Sequence, residues 1–169
     1  FRQPTFIDKQ IKMFVAVKSG AAYQLYTYTY EQKTSGSDII TCVGKKDITS
    51  WAGGMSDDCK MFTNGVEVPL NYLYIAKGND LWRTSYESQA DPKAVKSFPA
   101  PITAAEVVIS TPNTISENTK ELYTAIFTYD TSAKTSKMYV LDARTDDLKA
   151  YSEVETAIPG KVVRYLANQ

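Results

Sequence analysis

The sequence predicts an all-β chain of about three four-stranded, propeller-like blades of about 55 residues each, with a β-sandwich as the alternative. Three observations predict it. Twelve Tyr and six Phe, with many Thr and Val, are types that fit a pleated, half-buried surface. No stretch keeps a helical apolar period for three turns; short strand-like runs punctuated by turn residues follow one another instead. A register also repeats: Tyr26, Trp82 and Tyr139 lie 56 and 57 residues apart, each preceded by Leu or Met.

The elements follow in order. Ile11–Val17 is a compact apolar run, Ser19-Gly20 a turn, and Tyr23–Tyr30 a returning strand. After the polar turn Lys33–Ser37 comes Ile39–Val43, a third strand, and then a loop from Trp51 to Gly54 that leads to Cys59–Phe62. The pattern restarts with Tyr72–Ala76, the turn Lys77-Gly78-Asn79-Asp80 and Leu81–Tyr86. Ala94–Phe98 and, beyond Pro99 and Pro101, Glu106–Ser110 are strand-like. Glu121–Asp130, a turn over Thr131–Ser136 and Lys137–Asp142 form the third copy, which Leu148–Ser152 and Lys161–Leu166 complete. Val107-Val108 and Val162-Val163 lie 55 residues apart, each after a proline-containing turn, and support units of about 5–55, 56–109 and 110–169.

Period-two alternation sets the faces. Tyr123, Ala125, Phe127 and Tyr129 share one face and Thr124, Ile126 and Thr128 the other, so both carry apolar members. A strand covered on both sides needs that, as a blade between neighbours does. Three blades fall short of the roughly four to eight that close a ring. The reading is therefore the carboxyl-terminal part of a longer chain, or a module that pairs with a second copy as a homodimer. The start at Phe1-Arg2-Gln3-Pro4, without initiator Met or leader, fits a trimmed amino end.

Composition excludes classes of chemistry. Nineteen basic and nineteen acidic residues cancel, leaving no summed field for nucleic acid. His is absent, which removes the commonest general base and metal ligand. Cys42 and Cys59 lack the spacing of a zinc or redox pair and read as buried or half-buried thiols, with a disulfide between them left open. No apolar run is long enough to insert in a membrane. No catalytic residue, metal site or cofactor is expected.

Clustered aromatics are the candidate ligand-binding residues, since Tyr and Trp stack on apolar ring faces and lead in interface hot spots. Trp51 lies in the polar, Gly-rich stretch 47–54, where a large ring can reach solvent; the plainer alternative folds it over the core edge. Trp82 sits in the repeat register, where packing between blades is the plainer role. Tyr26, Tyr28 and Tyr30 share one strand face and would form a platform with rings about 7 Å apart, or else core. Asp57-Asp58 and Asp146-Asp147 could supply a carboxylate pair or calcium ligands, but adjacent side chains in a turn diverge, so they read as solvated turns. The turn at residues 77–80 is no phosphate loop.

Tyr72–Arg83 (YLYIAKGNDLWR), Lys137–Asp142 (KMYVLD) and Ile158–Val163 (IPGKVV) resemble the carboxyl-terminal propeller-like region of the PKD-like lipoproteins of gut Bacteroidetes. The resemblance implies a lipid-anchored protein of the cell envelope, at the outer membrane or in the periplasm, and carries over no catalytic or metal residue. With the aromatic content and the missing His, it leads to the expectation of a non-catalytic cell-surface binding or adhesion module, its partner a glycan or a protein. A structural propeller segment is the second expectation, and a fragment of a carboxylate-based glycoside-processing enzyme the third.

Overall fold

The computed structural model of the chain describes residues 5–7, 10–31, 33, 35–63, 72–85, 87–110, 121–142, 148–153 and 157–164. The chain is all-β. In order run β1 (Thr5–Ile7), β2 (Gln10–Ser19), β3 (Ala22–Glu31), β4 (Ile39–Asp47), a 3₁₀ turn at Trp51–Gly53, β5 (Lys60–Thr63), β6 (Tyr72–Lys77), β7 (Asp80–Ser85) and β8 (Lys93–Ser97). β9 (Ile102–Ser110), β10 (Glu121–Asp130), β11 (Thr135–Asp142), β12 (Leu148–Glu153) and β13 (Ile158–Pro159) follow. They form three antiparallel sheets in which chain neighbours pair: β1 to β4, β5 to β8 and β9 to β12, with β13 added to β11. Two compact units carry them, one holding β1 to β4 and the 3₁₀ turn, the other β5 to β13. Among the described residues, no helix is long and apolar enough to cross a membrane.

Turn chemistry fixes the hairpins. Gly20-Ala21 joins β2 to β3 and Gly78-Asn79 joins β6 to β7. In each loop the glycine alone takes positive φ, 60° and 55°, the arrangement whose twist suits a two-residue hairpin. The longer loop from β10 to β11 has Lys134 at φ 56°. There the Asp130 carboxylate accepts from the N–H groups of Ala133, at 3.0 Å, and Ser132, at 2.8 Å. Those bonds hold the Asp130 carboxyl below its ordinary range.

The repeat seen in the sequence has a structural counterpart. Tyr26, Trp82 and Tyr139 all lie on the third strand of their sheets. Pairing with the fourth strand slips within two residues of each of them, at Thr27/Tyr28, Leu81/Trp82 and Tyr139/Leu141. An irregularity of that kind bends a strand and sharpens its twist.

The sheets differ in cover. In β6, Leu73, Tyr74, Ile75 and Ala76 are at most 2% exposed, and successive residues point to opposite faces, so both faces are under cover. β10 is alike from Thr124 to Thr128, with Ala125 and Phe127 packed with Ala104, Met138 and Val162. Phe62 stacks on Tyr74 with ring centroids 5.0 Å apart, and Phe98 tilts against Tyr139 at the same distance. The β6–β7 turn is clasped by the following segment, through Phe98 N–H to the Asn79 carbonyl, Asn79 Nδ2 to the Phe98 carbonyl and Ile102 N–H to the Gly78 carbonyl. β3 is covered on one face only: Leu25 and Thr27 are buried, whereas Tyr26, Tyr28 and Tyr30 between and beyond them are half-buried.

Several expectations are corrected. β9 starts at Ile102 and opens the third sheet, so Glu106–Ser110 does not close the second unit. β1 and β13 were not foreseen. Residues 161–164 form no strand; Ser136, fully buried, donates to the Gly160 carbonyl at 2.8 Å and accepts from the Val162 N–H at 3.1 Å. That backbone is satisfied by a side chain instead of a ladder, and the apparent likeness of Val107-Val108 to Val162-Val163 has no counterpart. The pair Asp146-Asp147 lies outside the described residues.

Two-sided cover predicts an asymmetry between sheets. Ile75→Ala, in β6, is expected to cost about 2–5 kcal/mol of stability through lost burial and a residual cavity. Val15→Ala, on the open face of the first sheet, is expected to stay within about 0.5 kcal/mol of wild type. Urea unfolding followed by circular dichroism measures both, and equal costs would contradict the assignment of the open face.

Candidate functional site

The open face of the first sheet gathers most of the aromatic residues singled out from the sequence. Register places Met13 beside Tyr28 and Cys42, Val15 beside Tyr26 and Lys45, and Tyr30 beside Ile40. Val15 and Val17 are exposed, Ile40 is 63% exposed, and the three tyrosines are half-buried. Tyr26 and Tyr28 stack with centroids 6.4 Å apart and planes inclined by 24°, the platform that alternation predicts. Lys45 Nζ stands 5.4 Å from the Tyr26 ring centroid, within reach of a cation–π attraction.

The ends of this stripe are polar. Tyr30 OH donates to Asp38 Oδ2 at 2.5 Å, and the Lys33 N–H donates to Asp38 Oδ1 at 3.1 Å. These bonds favour the charged carboxylate, so Asp38 lies below its ordinary range, and the Tyr30 phenol is raised by the same partner.

A second cluster sits at the β2–β3 hairpin end. Lys18 Nζ lies 2.7 Å from Asp57 Oδ2, and Tyr23 OH donates to Asp57 Oδ1 at 2.5 Å. The Lys18 and Tyr23 hydrogen bonds depress the Asp57 carboxyl, while Asp57 raises both Lys18 and Tyr23. The backbone holds Tyr23 in place: its N–H donates to Thr49 Oγ1 at 2.9 Å and its carbonyl accepts from the Ile48 N–H at 2.9 Å. Asp57 is thus tied across the hairpin, though exposed, and a pair so open to water contributes little to stability. Alternation could place Tyr23 on a face, but nothing local in the sequence signals a partner 34 residues away.

Trp51 stands differently from expectation. It is 1% exposed, so the expectation that its ring reaches solvent is corrected. The 3₁₀ turn that seats it runs through positive φ at Ala52 (51°), Gly53 (70°) and Gly54 (104°). Trp51 N–H donates to the Ile48 carbonyl, and Gly54 N–H to the Trp51 carbonyl, a local chain of bonds that turns the ring inward. Lys46 Nζ lies 5.8 Å from the ring centroid, and the indole Nε1 has no hydrogen-bond partner. Trp82 is half-buried in the second sheet, paired with Ile75 and Ala94. Neither thiol is in a disulfide; Cys42 is exposed and Cys59 half-buried, so Cys42 departs from the buried reading. Among the described residues no group of three or more His, Cys, Asp and Glu could hold a metal ion.

No family model matches the chain, and no curated protein matches it. Solved structures do. A chimera of ACO and RPE65 is 16% identical at a TM-score of 0.45, over 95% of this chain and 37% of its own. Cobalt-substituted Synechocystis ACO is 16% identical at 0.40, over 96% and 39%. A point mutant of Synechocystis apocarotenoid oxygenase is 18% identical at 0.37, over 85% and 36%. The chain spans less than two fifths of the length of each. Against the expectations of a non-catalytic adhesion module and of a chain without enzymatic activity, the matched structures are an apocarotenoid oxygenase, ACO, and its chimera with RPE65, and none of the three is named as an adhesion protein; neither expectation is carried further.

The Lys18–Tyr23–Asp57 cluster has a defined pH window. A depressed Asp57 contributes stability above its ordinary value of 3.8, lost as pH falls through the lower folded value. Raised Tyr23 and Lys18 contribute below 10.0 and 10.5, lost as pH rises through their higher folded values. Asp57→Asn is expected to bring the Tyr23 midpoint down toward 10.0, read from the ring carbon shift by NMR titration. An unmoved midpoint would show that Asp57 is not what raises Tyr23.

Proposed function

We propose that the chain serves as a framework segment of a larger sheet-built assembly, contributing sheet surface and rim turns to it. One observation carries this reading: the central strands of the second and third sheets are covered on both faces, while the first sheet, of the same order and hairpin design, keeps an uncovered face of Val15, Val17, Tyr26, Tyr28 and Ile40. An apolar, aromatic sheet face of this kind marks a surface built to be covered. Any imidazole-dependent chemistry of that assembly draws its His from outside these residues, because the sequence has none. The cell envelope is the setting we propose for it, supported by the resemblance of residues 72–83, 137–142 and 158–163 to envelope lipoproteins.

The test is dye binding by the folded chain. Anilinonaphthalene sulfonate is expected to fluoresce with the folded chain at neutral pH, and its emission to fall by more than half, by rough expectation, on Tyr28→Glu. A folded chain that binds no dye would overturn the framework reading.

A further inference from the structure

We infer that residues 48–57 form a latch, and that the buried indole of Trp51 belongs to its closed state, which opens where Asp57 lets go. Two unfavourable features meet in this one turn. The Trp51 ring is 1% exposed, yet its indole Nε1 has no hydrogen-bond partner, and a buried donor left unpaired forfeits the bond it would make to water. The next residue, Ala52, holds φ 51° and ψ 39°, a left-handed conformation that suits glycine and strains a residue with a Cβ. Strain of this kind persists only while the surroundings enforce it. Burial of the ring, with Lys46 Nζ 5.8 Å from its centroid, keeps the closed state the resting one.

The turn is held at two ends of unequal strength. At its start the hold runs through the backbone: the Ile48 N–H donates to the Tyr23 carbonyl and the Tyr23 N–H to Thr49 Oγ1, both at 2.9 Å, and Ile48 is fully buried. At its far end the hold is one side chain. Asp57 meets Lys18 Nζ and the Tyr23 hydroxyl, and its side chain is 68% exposed, so water weakens the tie. Opening therefore starts at Asp57 and leaves Ile48 and the first sheet in place. In the open state Ala52 leaves the left-handed region and Nε1 meets water. The ring then presents an apolar face and a donor N–H to a ligand that carries a hydrogen-bond acceptor.

Deuterium exchange of the Trp51 indole N–H, followed by NMR at neutral pH, reads the opening directly. The sequence has two Trp, and the spectrum of Trp82→Phe tells their indole signals apart. The backbone amides of Leu25 and Thr27, on a strand paired on both sides by β2 and β4, serve as the measure of wider unfolding. In the wild type the indole is expected to exchange faster than those amides. Asp57→Asn is expected to speed the indole by about threefold or more and to leave the amides unchanged. Ala52→Gly, which takes the left-handed conformation without strain, is expected to slow the indole by about threefold. An indole that keeps pace with the β3 amides in every variant is released only by unfolding, and that result would overturn the inference. A rate indifferent to Asp57→Asn would do the same.

Discussion

Cover on both faces of the central strands is the constraint on which the rest of the structure depends. A strand such as β6, with Leu73 through Ala76 all buried, has no water on either face to satisfy its backbone, so every N–H and C=O must find a partner in the plane of the sheet. β5 and β7 supply them along its length. The same need is met in β10, which pairs with β9 from Glu121 to Thr128 and with β11 from Tyr123 to Asp130, so that its buried stretch has a neighbour on each side. Irregularity is confined to the outer strand pairs and the rim, where Ser136 and the clasp around Gly78 satisfy groups that no ladder reaches.

Given that constraint, register becomes a matter of turns. A slip of one residue would move every side chain to the opposite face, and the glycine-led loops at Gly20 and Gly78 set the pairing before packing can choose it. The slips between third and fourth strands fall at Thr27/Tyr28, next to Trp82 and next to Tyr139, each beside an aromatic residue. The local twist they add lets the outer strand turn away from a bulky ring.

Most strands were legible because alternation and turn residues are local signals. Tyr23–Tyr30, Tyr72–Ala76 and Glu121–Asp130 appear within two residues of their expected bounds. What was not legible depends on partners distant in sequence. The run at residues 161–164 has strand-like composition but no ladder, because Ser136 takes its backbone instead. Ile102–Ala105 joins the third sheet because β10 pairs with it, which the two prolines before it conceal. A polar, glycine-rich neighbourhood suggested solvent around Trp51, yet glycines at positive φ also allow a tight reversal, and here it turns the ring inward.

The tyrosine stripe shows why an apolar period does not by itself say which face is core. β3 and β10 alternate in much the same way, yet Phe127 is buried and Tyr28 is not. The residue type carries the distinction. A phenol has a ring that gains from cover and a hydroxyl that tolerates water, so a row of tyrosines can stand in solvent where a row of Phe or Leu would drive indiscriminate association. Tyr30 spends its hydroxyl on Asp38, and Tyr26 lies under Lys45; both ends of the row are thereby tied to charge.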